Sequence, residues 1–113
     1  MQVLEQLSDQ TMQGIVLAME RRFSEGFDEG ELCQVEYEGE NGDYILMNVE
    51  FDAIFREHSR PNEYRDIELV LASADIKSMV FYHYDDEMLL SPDVEWKITT
   101  EFYSEMRKYK RLS

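Results

Sequence analysis

Residues 32–56 read LCQVEYEGENGDYILMNVEFDAIFR, and the alternation in this stretch decides the fold. Cys33, Val35 and Tyr37 alternate with Gln34, Glu36 and Glu38, which predicts a strand from about Leu32 to Glu38. Ile45, Met47, Val49, Phe51, Ala53 and Phe55 then share one face of a second strand, from about Tyr44 to Arg56. Asn48, Glu50, Asp52 and Arg56 take its other face. The turn between the two strands follows from their patterns. A two-residue loop at Asn41-Gly42 pairs Glu36 with Met47 and Glu38 with Ile45, setting charge against core. A three-residue loop, Glu40-Asn41-Gly42, pairs Val35 with Met47 and Tyr37 with Ile45. One register step exchanges the two faces of a strand, so the apolar pattern selects the three-residue loop. Gly42 supplies the positive φ that such a loop needs at its end.

This hairpin lies in the stretch that holds most of the charge. Between Arg22 and Arg56 stand ten acidic residues and no Lys or Arg, against a net charge of −14 for the whole chain. A surface of this kind repels DNA, RNA and anionic membranes, which removes them from the expected partners. Glu36, Glu38, Glu50 and Asp52 are expected together on the outward face of the hairpin, with Glu40 and Asp43 at its tip. Two readings stay open. One is a solvated face that keeps the strand pair soluble and unaggregated. The other is an acidic docking surface for a protein with a basic surface, including mimicry of nucleic-acid phosphate. Like charges gathered across a strand pair are destabilising, and that cost is the argument for a use.

Outward from the hairpin, the amino-terminal quarter reads as a helix. Met12, Ile15, Val16, Met19 and Phe23 form one apolar stripe, Ser8 or Asp9 caps its start, and Arg21 and Arg22 suit its last turn. Gly26 stops it, and Gly14 inside it marks close backbone packing. Val3, Leu4 and Leu7 extend the helix backward or form a short separate turn; residues 27–31 form an acidic loop. On the carboxyl side of the hairpin, residues 58–63 (HSRPNE) form a turn. A third strand covers about Tyr64 to Ala72, with Ile67, Leu69 and Leu71 on one face, and Ser73 to Asp75 turns the chain. A fourth strand covers about Ile76 to Tyr84. It is apolar on both sides: Ile76, Val80, Tyr82 and Tyr84 on one, Met79, Phe81 and His83 on the other. Such a strand is central or covered on its second face, and a partner protomer could provide the cover, so a homodimer is favoured over a monomer. Asp85, Asp86 and Glu87 end the sheet. Ser91-Pro92-Asp93 then starts a helix that runs to about Lys110. Its stripe is Val94, Ile98, Phe102 and Met106, with Trp96, Tyr103 and Tyr109 beside it and packing on the sheet. A rival reading makes Val94 to Thr100 a fifth strand. The expected fold is α+β and one domain over residues 1–113. It is a four-stranded antiparallel β-meander with an N-terminal and a C-terminal helix on one face, αββββα in two layers.

The closing stretch, YDDEMLLSPDVEWKITTEFYSEMRK (residues 84–108), resembles the end of many small acidic proteins of prophages and mobile elements. In those a sheet also ends in an acidic turn and a Ser/Thr-Pro helix start follows. The resemblance is one of layout and covers about a fifth of the chain. It implies a regulator or inhibitor directed at a host or a phage, and it transfers no functional residue.

Little else in the chain carries chemistry. The single cysteine, Cys33, excludes an internal disulfide and fits a reducing compartment. A secretion-type segment, a lipidation motif and a run of about 20 apolar residues are all missing, which leads to the expectation of a cytoplasmic protein. His83, Asp85 and Asp86 are the candidate metal ligands, since imidazole and carboxylate suit divalent metals. The calcium-loop pattern is not there, and neighbouring carboxylates at a strand end point different ways. Cys33 with His58 and His83 could be imagined as nucleophile and base, but Cys33 falls on the core face, where thiols are inert. Nucleophile elbow, phosphate loop, dinucleotide fingerprint and zinc pattern are all absent from the sequence. The reading is a non-enzymatic protein-interaction domain that needs no cofactor. Its alternative is a small-molecule- or metal-binding domain, or a small enzyme, with a pocket between the C-terminal helix and the sheet.

Overall fold

A computed structural model describes residues 3–59 and 65–109, with side chains for 3–56 and 69–108. The elements are β1 (Val3–Leu4), α1 (Asp9–Ser24), β2 (Leu32–Glu38), β3 (Asp43–Ser59), β4 (Arg65–His83), β5 (Asp86–Leu90) and α2 (Pro92–Tyr109). They make an α+β fold with one five-stranded sheet in the order β1-β5-β4-β3-β2. The central hairpin takes the register that the apolar pattern selects. Val35 stands opposite Met47 and Tyr37 opposite Ile45. Gly39 N–H donates to the Asp43 carbonyl at 2.7 Å, closing the three-residue loop, and Gly42 has φ 87°.

The four-strand antiparallel meander needs correction at three places. The expected third and fourth strands are one continuous strand, β4, which pairs with β3 from Arg65 to His83. Ser73 to Asp75 does not turn. What looked like a turn is a change of phase. Val49 pairs with Ile76 while Asn48 pairs with Ser78, so Lys77 is an extra residue; Val70 is a second one, between Leu71 and Leu69. Each bulge shifts the inward alternation by one residue. Ile76 therefore joins Met79 and Phe81 on the core side, away from Val80 and Tyr82, while Leu69 and Leu71 part to opposite faces.

The second correction concerns the acidic segment at residues 85–87, which does not end the sheet. Tyr84 (φ 49°) and Asp85 (φ 71°) form a two-residue turn with both residues left-handed, between the paired His83 and Asp86. This primed geometry matches the twist of the flanking strands, and the chain returns as β5. The third is β1, expected as helix or turn. It runs parallel to β5, Val3 against Leu89 and Leu4 against Leu90, and makes the sheet mixed. The turn expected at residues 58–63 falls mostly outside the described residues; β3 itself continues through His58 and Ser59.

Both helices lie against one sheet face, and a single core joins all the layers. Ile15, Val16 and Met19 of α1 meet Cys33, Val35, Ile45, Met47, Val49 and Phe51 of the sheet and Val94, Ile98, Phe102 and Met106 of α2. The stripe of α2 is the one its sequence spacing foretold, so residues 94–100 are helix and not strand. Trp96 and Tyr103 do not pack on the sheet: Trp96 is 67% exposed, and the Arg107 guanidinium lies 5.7 Å from the Tyr103 ring centre. Ser8 caps α1 by accepting from the Thr11 N–H at 3.2 Å. Gly14 lies under the Tyr37 ring, where a Cβ would collide.

Two features follow from the lengths of the strands. β2 reaches only to the pair Leu32–Glu50, and β5 pairs with β4 only from Phe81 to His83. From the pair Phe51–Ala74 outward, β3 and β4 pair with each other alone among the described residues. The result is a two-stranded ribbon, and the molecule measures 60 × 26 × 22 Å. The sheet face opposite the helices bears Tyr44, Leu46, Val80 and Tyr82, none of them buried, together with the acidic residues of β2.

Candidate functional site

The two turns at one end of the sheet, Glu40-Asn41-Gly42 and Tyr84-Asp85, lie side by side because β3 and β4 begin and end together. Asp43 stands directly opposite His83. It is buried, and its carboxylate is fully engaged. Thr11 Oγ1 donates to Oδ2 at 2.8 Å, Asn41 Nδ2 donates to the same oxygen at 3.1 Å, and His83 Nδ1 lies 2.7 Å from Oδ1. Ser8 Oγ donates in turn to Thr11 Oγ1 at 3.0 Å. A carboxylate removed from water needs donors on each oxygen, and here the first turn of α1, the hairpin loop and β4 each supply one. An imidazole oriented by a carboxylate is the base half of a nucleophile-activating set. The hydroxyls of Ser8 and Thr11 gather on the Asp43 side of the pair, however, and not at the far nitrogen of the ring. As built, the network is a clamp that holds both turns to the helix.

On the outer face of the same end, one row crosses four strands. Glu38, Tyr44, Tyr82 and Glu87 stand opposite one another in register. The Tyr44 and Tyr82 rings are 6.2 Å apart at 47°. Loss of water raises the Tyr44 phenol pKa, and the Glu36 carboxylate raises it further by charge and by hydrogen bonding. Tyr84 closes the end of the row. Its ring lies over Gly42, where a Cβ would clash, and its centre is 4.7 Å from that of His83. Its N–H donates to the Gly42 carbonyl at 3.0 Å. Together these residues wall an open cleft of about 470 Å³, lined by Glu38, Tyr44, Tyr82, Tyr84 and Asp85, with Gly39, Gly42 and Asp43 at its base.

The four acidic residues expected together are in two groups. Glu36 is opposite Leu46 and Glu38 opposite Tyr44, whereas Glu50 is opposite Leu32 and Asp52 opposite Ser73. Four residues of strand, roughly 13 Å at the usual rise, separate the two groups. None of the four faces another across a strand pair. Glu50 faces Asp75 instead, and Lys77 Nζ lies between them, 2.7 Å from Asp75 and 3.7 Å from Glu50. Glu36 and Glu38 belong to the tyrosine row; Glu50 and Asp52 lie toward the ribbon.

The metal candidates do not come together. His83 turns to Asp43, while Asp85 projects from the turn and Asp86 starts β5. Among the described residues no group of three or more His, Cys, Asp and Glu is placed to hold a metal. Cys33 is buried, and burial pushes its thiol above the ordinary range. The side chain of His58 lies outside the described residues. A cavity of about 270 Å³ does open between β4, β5 and the start of α2, with Lys77, Glu87 and Glu95 at its edge. A smaller one of about 220 Å³, lined by Leu4, Leu7, Phe81 and Met88, borders Ser8 and His83. Among the described residues no helix is long and apolar enough to cross a membrane.

No family model, curated protein or solved structure matches this chain. The site therefore stands on its geometry. Two of its parts escaped the sequence reading. Asp43, expected at the hairpin tip, lies on the core face, where its alternation with Ile45 and Met47 puts it. Tyr44 has no candidate role in the sequence pattern, yet it shares the outer face with Asn48 and Glu50.

Proposed function

We propose that this chain is a small acidic, non-enzymatic interaction domain of the cytoplasm, a regulator or inhibitor that docks a basic protein surface on its outer sheet face. The observation that carries the reading is the row Glu38-Tyr44-Tyr82-Glu87, an apolar centre with acid on both sides on a face the helices leave open. Interfaces have this anatomy, with aromatic residues enriched at the centre and a polar rim around them. Origin in a prophage or mobile element belongs to the same proposal and rests on the layout of residues 84–108. With a charge of −14, nucleic acid is not a partner in this reading.

The two acidic groups separate docking from mere solvation. We expect Glu36→Gln with Glu38→Gln to slow association with the basic partner, and added salt to shrink the difference. Glu50→Gln with Asp52→Asn should change it far less. The measurement is association kinetics at low and high salt, against the partner recovered by affinity capture from the native host. Equal rates for the wild type and the first pair at low salt, with an intact fold, would remove the docking face.

The ribbon supports a second part of the proposal, a homodimer. Ile54 and Phe55 are 54% and 59% exposed on a strand pair whose outer edges are open among the described residues. A two-stranded ribbon is marginal alone in water, and open edges pair readily.

A further inference from the structure

We infer that the cleft beside the two turns receives a single arginine side chain of the basic partner. This rests on the docking reading and names the group that the site recognises. Three observations point to it. The walls are Tyr44, Tyr82 and Tyr84, whose π-faces attract a cation, and a planar guanidinium stacks on such faces better than an ammonium does. Carboxylates of Glu38 and Asp85 stand at the same cleft, placed to take the N–H groups at the edges of a guanidinium stacked there. Among the described residues no Lys or Arg lines it, so an incoming cation meets no rival there.

A further observation is Tyr84 itself. It is 69% exposed and holds a left-handed backbone at φ 49°. Asn or Gly serves that position in a primed turn at less cost, and neither would leave an aromatic ring in water. The backbone conformation alone gives no reason for a tyrosine there. The molecule nonetheless seats the ring with care, over a glycine that alone leaves room for it and against the clamped His83. Ring placement in a costly backbone conformation is what a recognition site requires.

The test uses blocked Gly-Arg-Gly, Gly-Lys-Gly and Gly-citrulline-Gly peptides with the full chain. Tyrosine ring signals are followed by NMR. The arginine peptide should shift Tyr44, Tyr82 and Tyr84 saturably, and citrulline, its uncharged counterpart, should not. The lysine peptide should bind more weakly. Tyr84→Asn, which suits the turn and should leave the fold intact, is expected to weaken the arginine peptide by about two- to fivefold, the value of one exposed cation–π contact. Tyr82→Leu should do the same. Equal response to lysine and arginine overturns the assignment, as does response to citrulline, or none at the three rings. If the rings stay silent but the Glu36/Glu38 pair still slows partner association, docking survives without the arginine cleft. If neither responds, both fall.

Discussion

Asp43 is the residue on which the candidate site turns. The same alternation that puts Ile45 and Met47 in the core carries Asp43 inward with them, and a buried carboxylate persists only where donors meet it. Thr11, Asn41 and His83 do so, and in doing so they tie two turns and a helix start to one point. Asp43→Ala leaves the buried Thr11 hydroxyl and the Asn41 amide without their acceptor. The cost should be about 1–3 kcal/mol, the usual loss for stranded buried partners, and Asp43→Asn should lose less because it keeps an acceptor. Denaturant melts decide this, and a change under about 0.5 kcal/mol for the alanine variant would show that the clamp does not stabilise the fold. Cys33, by contrast, is a core residue with nothing to do but pack. Its thiol is buried and shifted away from the thiolate, so slow alkylation in the native state is the consistent outcome.

At the scale of elements, the helices meet along a seam that carries its own charge conflict. Glu20 on α1 faces Glu101 and Glu105 on α2 across a hollow of about 300 Å³, with Met12, Val16 and Leu17 along its wall. Burial first, and the Glu105 carboxylate second, raise the Glu20 pKa; Lys108 pulls it partly back. A carboxyl whose pKa is raised by folding binds its proton more tightly in the native state. Its stabilising effect is complete below the ordinary carboxylate range and is lost as pH rises through the raised value. Glu20→Gln should therefore flatten that part of the stability profile and raise the melting temperature at neutral pH. The gain should stay under about 1 kcal/mol, since the group keeps much of its water. Melting curves across the acidic range give the answer; a variant less stable at neutral pH would contradict it. The strands show the complementary lesson. Two bulges let one long strand change faces twice without a turn, and only pairing with β3 reveals them.

For the molecule as a whole, length is the telling quantity. Its long axis of 60 Å exceeds the other two more than twofold, because the ribbon of β3 and β4 runs past both helices. Ile54 and Phe55 there stay more than half exposed among the described residues. Light scattering at micromolar concentration should give the mass of a dimer, and Ile54→Glu with Phe55→Glu should return a monomer without unfolding the core. A monomer mass for the wild type at every concentration would remove the proposed dimer. A dimer built through the ribbon leaves the tyrosine row, at the other end of the sheet, free for a partner.

Local chemistry settled much of this protein in advance. The hairpin register, the three-residue loop at Gly42, both helices, their apolar stripes and the close approach at Gly14 were legible because each depends on residues near in sequence and on a period of two or 3.6. Pairings between distant residues were not. The parallel β1 depends on a partner near the other end of the chain; the return into β5 is local, but Tyr84-Asp85 lacks the Asn-Gly or Asp-Gly signature of a primed turn; and neither bulge carries a residue signature. The tyrosine row assembles from β2, β3, β4 and β5, and the clamp from α1, a loop and two strands. Sequence could nominate Glu36, Glu38, Glu50 and Asp52 as one face and His83 apart from them. Which of them share a site was decided by strand order and register, because those alone determine which side chains stand across from one another.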